Sequence, residues 1–286
     1  MFSLATVLIL LSAGMYAPSA APPATAPVRG ALLRYDRPLG QLARYHISLD
    51  VHGVEVSLGE RLPVKWQAEV EVAEEVIARG ADGSVWLRVT SRLTDVTDSN
   101  GVFANGATVE WPETRLHLSP RGEVLETAQP DTKGDARARE RAFAALVTQV
   151  SPIILPQGPA QPGDQWQVET GSGRQTNRLL SLQGSGDRQV ARIASVATSP
   201  LAIDESVDEL GLRTHLAGEA RQTSELDLLL SSGLVRRHTG RTHIVTRSQT
   251  TLSLPDGPQV FNMESNLTIA FEIRLLTVDG RPVGSG

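Results

Sequence analysis

LPVKWQAEVEVAEEVIA, residues 62–78, puts Leu62, Val64, Trp66, Ala68, Val70, Val72, Val76 and Ala78 on one parity, interrupted only by Glu74. The other parity carries Lys65, Gln67, Glu69, Glu71 and Glu75. A period of two is the mark of a strand with one dry face and one wet face, because successive side chains leave opposite sides of the backbone. At about 3.3 Å per residue this run reaches roughly 50 Å, and strands of that length coil into strongly bent sheets or barrels. Gly80-Ala81-Asp82-Gly83 is a turn, after which Val85, Leu87, Val89 and Leu93 return antiparallel as a long hairpin.

The same pattern extends in both directions. Upstream, Ala43, Tyr45, Ile47, Leu49 and Val51 alternate with polar residues. At Gly53 the apolar parity changes to Val54 and Val56, which predicts a bulge or bend there. Downstream, Thr114 to Leu118 and Glu123 to Leu125 read as short strands around Pro120-Arg121-Gly122. Residues 135–150 form the one helical pattern, with Phe143, Leu146, Val147 and Val150 on one face and Pro152 as its stop. Ile153, Ile154 and Leu155 then require burial. After Trp166 the β pattern resumes, with a second long hairpin through Ser231-Ser232-Gly233 and a last strand in which Phe261, Met263, Leu267, Ile269, Phe271, Ile273 and Leu275 face one way. The fold class is therefore mainly β: long bent antiparallel hairpins forming a half-barrel or open barrel with one main central helix.

The chain has 286 residues, 40% hydrophobic and 4% aromatic, enough for a sizeable core. Its net charge of −5 is spread without blocks, so neither nucleic acid nor an anionic membrane finds a basic stripe. Phe2 to Leu11 is an apolar run followed by small residues, as in a secretory signal, although no Lys or Arg precedes it. The expected organisation is a signal peptide over 1–21, a Pro/Ala linker over 22–31, and one β-rich domain over 32–276. That domain has two halves, 32–133 and 162–276, joined by the helix and turn of 134–161, with a loose tail at 277–286. The mature chain then has no membrane span, and its expected location is exported, periplasmic or extracellular.

Cysteine is absent, which excludes thiol catalysis and thiolate metal sites. His46, Asp50 and His52 share a strand face, but two imidazoles and one carboxylate on an alternating polar face read as a wet surface rather than a metal centre. Gly184-Ser185-Gly186 lacks the spacing of a nucleophile elbow, and Glu74-Glu75 point to opposite faces and cannot act as an acid–base pair. No catalytic residue, metal ligand or cofactor is expected.

Pro162-Gly163-Asp164-Gln165-Trp166 is a tight turn that launches a strand with a buried indole. A "proline, Gly-Asp-x-Trp" turn ahead of the second half, with long hairpins and one interior helix, resembles a loose group of exported bacterial β-rich proteins. That organisation is similar to the lipoprotein-localisation-factor superfamily over roughly Leu32 to Leu276. The resemblance implies a half-barrel of bent strands closed by helices, holding an apolar molecule between sheet and lid; no ligand-contacting residue of that superfamily matches a position here.

Two functional expectations follow. One is a non-enzymatic envelope protein that binds or carries a hydrophobic, lipid-like ligand, lined by Trp66, Val70, Phe143, Val147, Trp166, Phe261, Ile269 and Phe271. The other is a structural or interaction module with a filled core, no ligand and an envelope protein as partner.

Overall fold

The alternating runs form thirteen strands of one antiparallel sheet in a computed structural model, which describes residues 30–98, 106, 108–111, 113–128, 153–170, 173–207, 212–254 and 257–283. In chain order these are β1 (Leu42–Ser57), β2 (Glu60–Arg79), β3 (Val85–Asp98), β4 (Val109–Glu110), β5 (Thr114–Leu118) and β6 (Val124–Ala128). The second half supplies β7 (Gln165–Thr170), β8 (Gly173–Gln183), β9 (Val190–Val207), β10 (Leu212–Leu229), β11 (Leu234–Leu254), β12 (Gly257–Val278) and β13 (Arg281–Pro282). Both long hairpins expected from the sequence are present, as β2–β3 and β10–β11.

The strand order is β6-β5-β3-β2-β1-β12-β11-β10-β9-β8-β7, with β4 beside β3 and β13 beside β12. Each half is a meander, and the halves join through the antiparallel pair β1–β12, where Ile47 lies opposite Ile273 and Val51 opposite Ile269. The sheet is not closed, since β6 and β7 stand at its edges.

The sheet is nevertheless rolled. β5 and β8 lie eight positions apart in the strand order, roughly 38 Å in a flat sheet at about 4.8 Å per step. Yet Leu155 exchanges hydrogen bonds with Arg121, in the β5–β6 turn, while its neighbour Ile154 donates to Gln175 Oε1 and accepts from Asn177 on β8. One short segment can touch both only if the sheet curls until its distant strands converge. The core follows from that curl: a single buried cluster takes residues from β5 (Leu116) and β8 (Leu179) alike.

One end of the roll is plugged. Residues 30–38 run extended across it, burying Leu33, Tyr35 and Arg37 and leaving Leu32, Asp36 and Pro38 outside. The Tyr35 hydroxyl donates to Ile153 O at 2.8 Å, and Ala31 bridges Ala160. Gly233 (φ +62) is required here, because a Cβ would fall 2.3 Å from the Asp36 nitrogen. The expected burial of Ile153, Ile154 and Leu155 is met, as all three are at most 2% exposed.

Several expectations need correction. There is no α-helix among the described residues, so the central helix has no support; residues 135–150, with Phe143 and Val147, lie outside the described residues, as do the signal and most of the linker. No bulge occurs at Gly53. The β1 register with both neighbours runs unbroken through it, and Val54 and Val56 face outward while Glu55 turns in. Gly53 serves close approach instead, since a Cβ would lie 2.2 Å from Asn266 O. The tail expected to be loose from 277 instead continues β12 to Val278 and returns as β13, held where Asp279 N donates to Leu42 O and Leu42 N to the Asp279 carboxylate.

Candidate functional site: the inner face of the rolled sheet

The outer face is built for water. Glu71–Arg92, Glu75–Arg88, Glu272–Arg237, Glu272–Arg274 and Glu264–Arg247 pair on it, and His46 Nε2 lies 2.9 Å from Glu69. Outward charges and inward apolar residues invert the arrangement of a membrane-spanning barrel, whose lipid-facing positions are apolar. No described helix is long and apolar enough to cross a membrane.

The inner face is read best in rows of residues opposite one another across the strands. The central row runs Ala68, Leu49, Phe271, Gly240, Ser224, Ser195, Asn177, Trp166 from β2 to β7. On one side lies the row Trp66, Val51, Ile269, Thr242 and Gln222; on the other, Val70, Ile47, Ile273, His238, Leu226 and Ile193. Five of the eight residues expected to line a cavity, Trp66, Val70, Trp166, Ile269 and Phe271, thus share three neighbouring rows of one face. Trp166 ends the central row, and its indole N–H donates to Ile154 O at 2.8 Å. Phe261 is not with them: it is 36% exposed. The reason is geometric, since β1 stops at Ser57 opposite Met263, and beyond that point β12 has only β11 beside it.

Two features of these rows were not visible in the periodicity. Phe271 is partly exposed, although it lies mid-sheet between buried Ile269 and Ile273. The three rows also gather inward polar atoms that are buried without a hydrogen-bond partner: the Trp66 indole N–H, Asn177 Oδ1, Ser224 Oγ and both ring nitrogens of His238. Burial pushes the His238 pKa down to about 3, so its ring is neutral at physiological pH. Its ring stands edge-on to Phe271, centroids 4.9 Å apart. A buried polar group without a partner costs about 1–3 kcal/mol, and of these residues Ser224 and His238 lie on adjacent strands.

Glu74, the one break in the apolar parity of β2, also points inward. It is 2% exposed and takes a charge-assisted hydrogen bond from Arg37, whose Nε donates to Gln41 Oε1 at 3.0 Å. Burial raises the Glu74 pKa and Arg37 draws it back, leaving it above the ordinary carboxylate range. This ion pair fastens the plugging segment to the sheet. Its signal in the sequence was Glu74 itself, an acid on a dry parity.

Elsewhere, Ser84 Oγ donates to Asp82 at 2.7 Å and lies 3.1 Å from His117 Nε2, whose ring stacks on Trp86. The hydroxyl proton is committed to Asp82, so His117 does not serve as its base; the group is a turn lock. No cluster of three His, Asp or Glu side chains that could hold a metal occurs among the described residues.

No protein-family model and no curated protein matches the chain. Among solved structures it is weakly similar to outer membrane channels. OccK2 (OpdF) of Pseudomonas aeruginosa, in complex with glucuronate, is 9% identical over 82% of this chain and 98% of its own, with a TM-score of 0.24. An outer membrane channel of Pseudomonas putida F1 is 10% identical over 88% of this chain and 100% of its own, with a TM-score of 0.23. Likenesses of that size show no function, and none of them supports the resemblance to the lipoprotein-localisation factors.

Proposed function

We propose that the protein is an exported, non-enzymatic carrier that holds a lipid-like amphiphile against the inner face of its rolled sheet. The observation that supports this reading is the mixed character of the three central rows: apolar side chains, a partly exposed phenylalanine, and buried polar atoms with no partner. An amphiphile matches that mixture, with its tail on Trp66, Val70, Ile269 and Phe271 and its polar group among the orphaned atoms. The tail gains about 25 cal/mol for each Å2 of apolar surface withdrawn from water.

The test is extraction of the purified protein into organic solvent followed by mass spectrometry, together with saturable uptake of a fluorescent fatty alcohol by stripped protein. A stoichiometric amphiphile and quenching of Trp66 fluorescence support the carrier. Repeatedly empty extracts with no saturable uptake overturn it and leave the filled-core interaction module.

A further inference from the structure

The amphiphile reading leaves open what kind of polar group the ligand carries, and the inner face narrows the choice. Ser224 on β10 lies opposite Gly240 on β11, and His238 lies opposite Leu226, so Ser224 and His238 are diagonal neighbours on one face. Such diagonal neighbours are about 7–8 Å apart and somewhat closer at Cβ, within reach of one bound hydroxyl or amide. Both side chains are buried, His238 completely, and neither has a hydrogen-bond partner.

Gly240 lets Phe271 pack beside the pair. A Cβ there would lie 2.6 Å from Phe271 Cζ and 2.7 Å from Ser224 Cβ, so only glycine lets the phenyl ring lie across β11 against the two polar residues. Phe271 therefore forms one wall of the pair and, being partly exposed, also the surface an apolar tail would meet.

The chemistry of the pair selects against charge. A neutral imidazole offers one donor and one acceptor, and a serine hydroxyl offers both. A carboxylate or phosphate only accepts, and would need a cation to offset its burial. Arg37 is the cation buried in the described interior, and it is held by Glu74 and Gln41 at the plugged end. A hydroxyl can accept from the ring N–H and donate to Ser224 Oγ, or the reverse, and brings no charge.

Building on the amphiphile reading, we infer that Ser224 and His238 seat the hydroxyl of an uncharged amphiphile, with Phe271 against the first carbons of its tail.

The test uses the full chain stripped of bound material and three probes of equal length: 1-decanol, decane and decanoate. Competition against a fluorescent fatty alcohol gives affinities, and 15N-histidine labelling reports the His238 ring. Decanol is expected to bind tightest and to shift both His238 ring nitrogens, while decane leaves them unmoved. Ser224→Ala and His238→Phe are each expected to weaken decanol about tenfold, the loss of one or two hydrogen bonds, and to leave decane unchanged. Should His238→Phe fail to fold, Ser224→Ala and the ring signals decide alone. The hydroxyl seat is overturned if decane binds as well as decanol, if Ser224→Ala keeps the wild-type preference for the alcohol, or if decanoate binds tightest. If no probe binds the wild type, the carrier reading falls and the seat with it.

Discussion

The two halves of the sheet treat inward polar residues in opposite ways. In β1 to β3 the inner face is a nearly continuous apolar surface, and its chief intruder, Glu74, is answered by Arg37, which Gln41 in turn holds. In β8 to β11 the inner face keeps buried apolar residues such as Leu179, Ile193, Leu226 and Ile244 but interleaves Asn177, Ser195, Ser224, His238, Gly240, Thr242 and Thr246, and Asn177 Oδ1, Ser224 Oγ and both His238 ring nitrogens have no partner. Trp66 is the exception in the first half, and its row borders the central one. The contrast teaches that burial alone does not define a core: in one half the buried polar groups are answered within the fold, and in the other several are not.

Breaking the first half should cost most. Arg37→Ala leaves Glu74 as a buried unpaired charge, and chemical denaturation at neutral pH should show a loss of about 3–5 kcal/mol. The pH dependence has a definite sign. Because the folded-state pKa of Glu74 is raised, its contribution to stability is greatest below the ordinary carboxylate value and declines as pH rises through the folded one. Arg37→Ala removes the group that draws this pKa down, so the deficit should shrink on acidification from neutral pH. A deficit independent of pH would show that the ion pair is not what fastens residues 30–38.

Asn177→Ala comes next. It removes donors to Ile154 O and Gln175 Oε1, and should cost about 1–3 kcal/mol in the same measurement. Ser224→Ala probes the second half from the other side. Deleting a buried hydroxyl that has no partner should leave the ligand-free protein as stable as wild type, or up to about 1 kcal/mol more so. A clear loss would mean that the hydroxyl is satisfied and that the halves do not differ as described. The smallest effect belongs to the outer face, where Arg92→Ala breaks an exposed pair with Glu71 and should change stability by less than about 0.5 kcal/mol.

Where the inner face is made of large apolar residues, the architecture is legible in the sequence. Residues 62–78 alternate so strongly that β2, its partner β3 and their turn follow directly. Through β10 and β11 Gly218, Gln222, Ser224, Gly240, Thr242 and Thr246 interrupt the apolar inner positions, so the contrast between faces fades just where the candidate site lies. Hairpins were found and faces were not. Gly53 misled for a related reason, because Val54 and Val56 are apolar on the wet side while the dry side turns to Gly53 and Glu55. The β1–β12 pairing was out of reach, because no turn links those strands and nothing local encodes their register. The orphaned atoms were equally hidden, since whether a buried histidine has a partner depends on what the roll brings opposite it.

That central pairing has a consequence for how the molecule assembles. Ala43 meets Val278 across 235 positions of chain, so β1 waits with an open flank until β12 has been made, and high contact order of this kind slows folding. The ends of the pair sit side by side where Leu42 and Asp279 exchange hydrogen bonds. A chain begun at Gln165, with residue 283 joined by a linker to residue 30 so that the plugging segment is kept, would make every long strand the neighbour of the next in sequence. It should reach the same sheet faster, without an intermediate that leaves its middle unzipped.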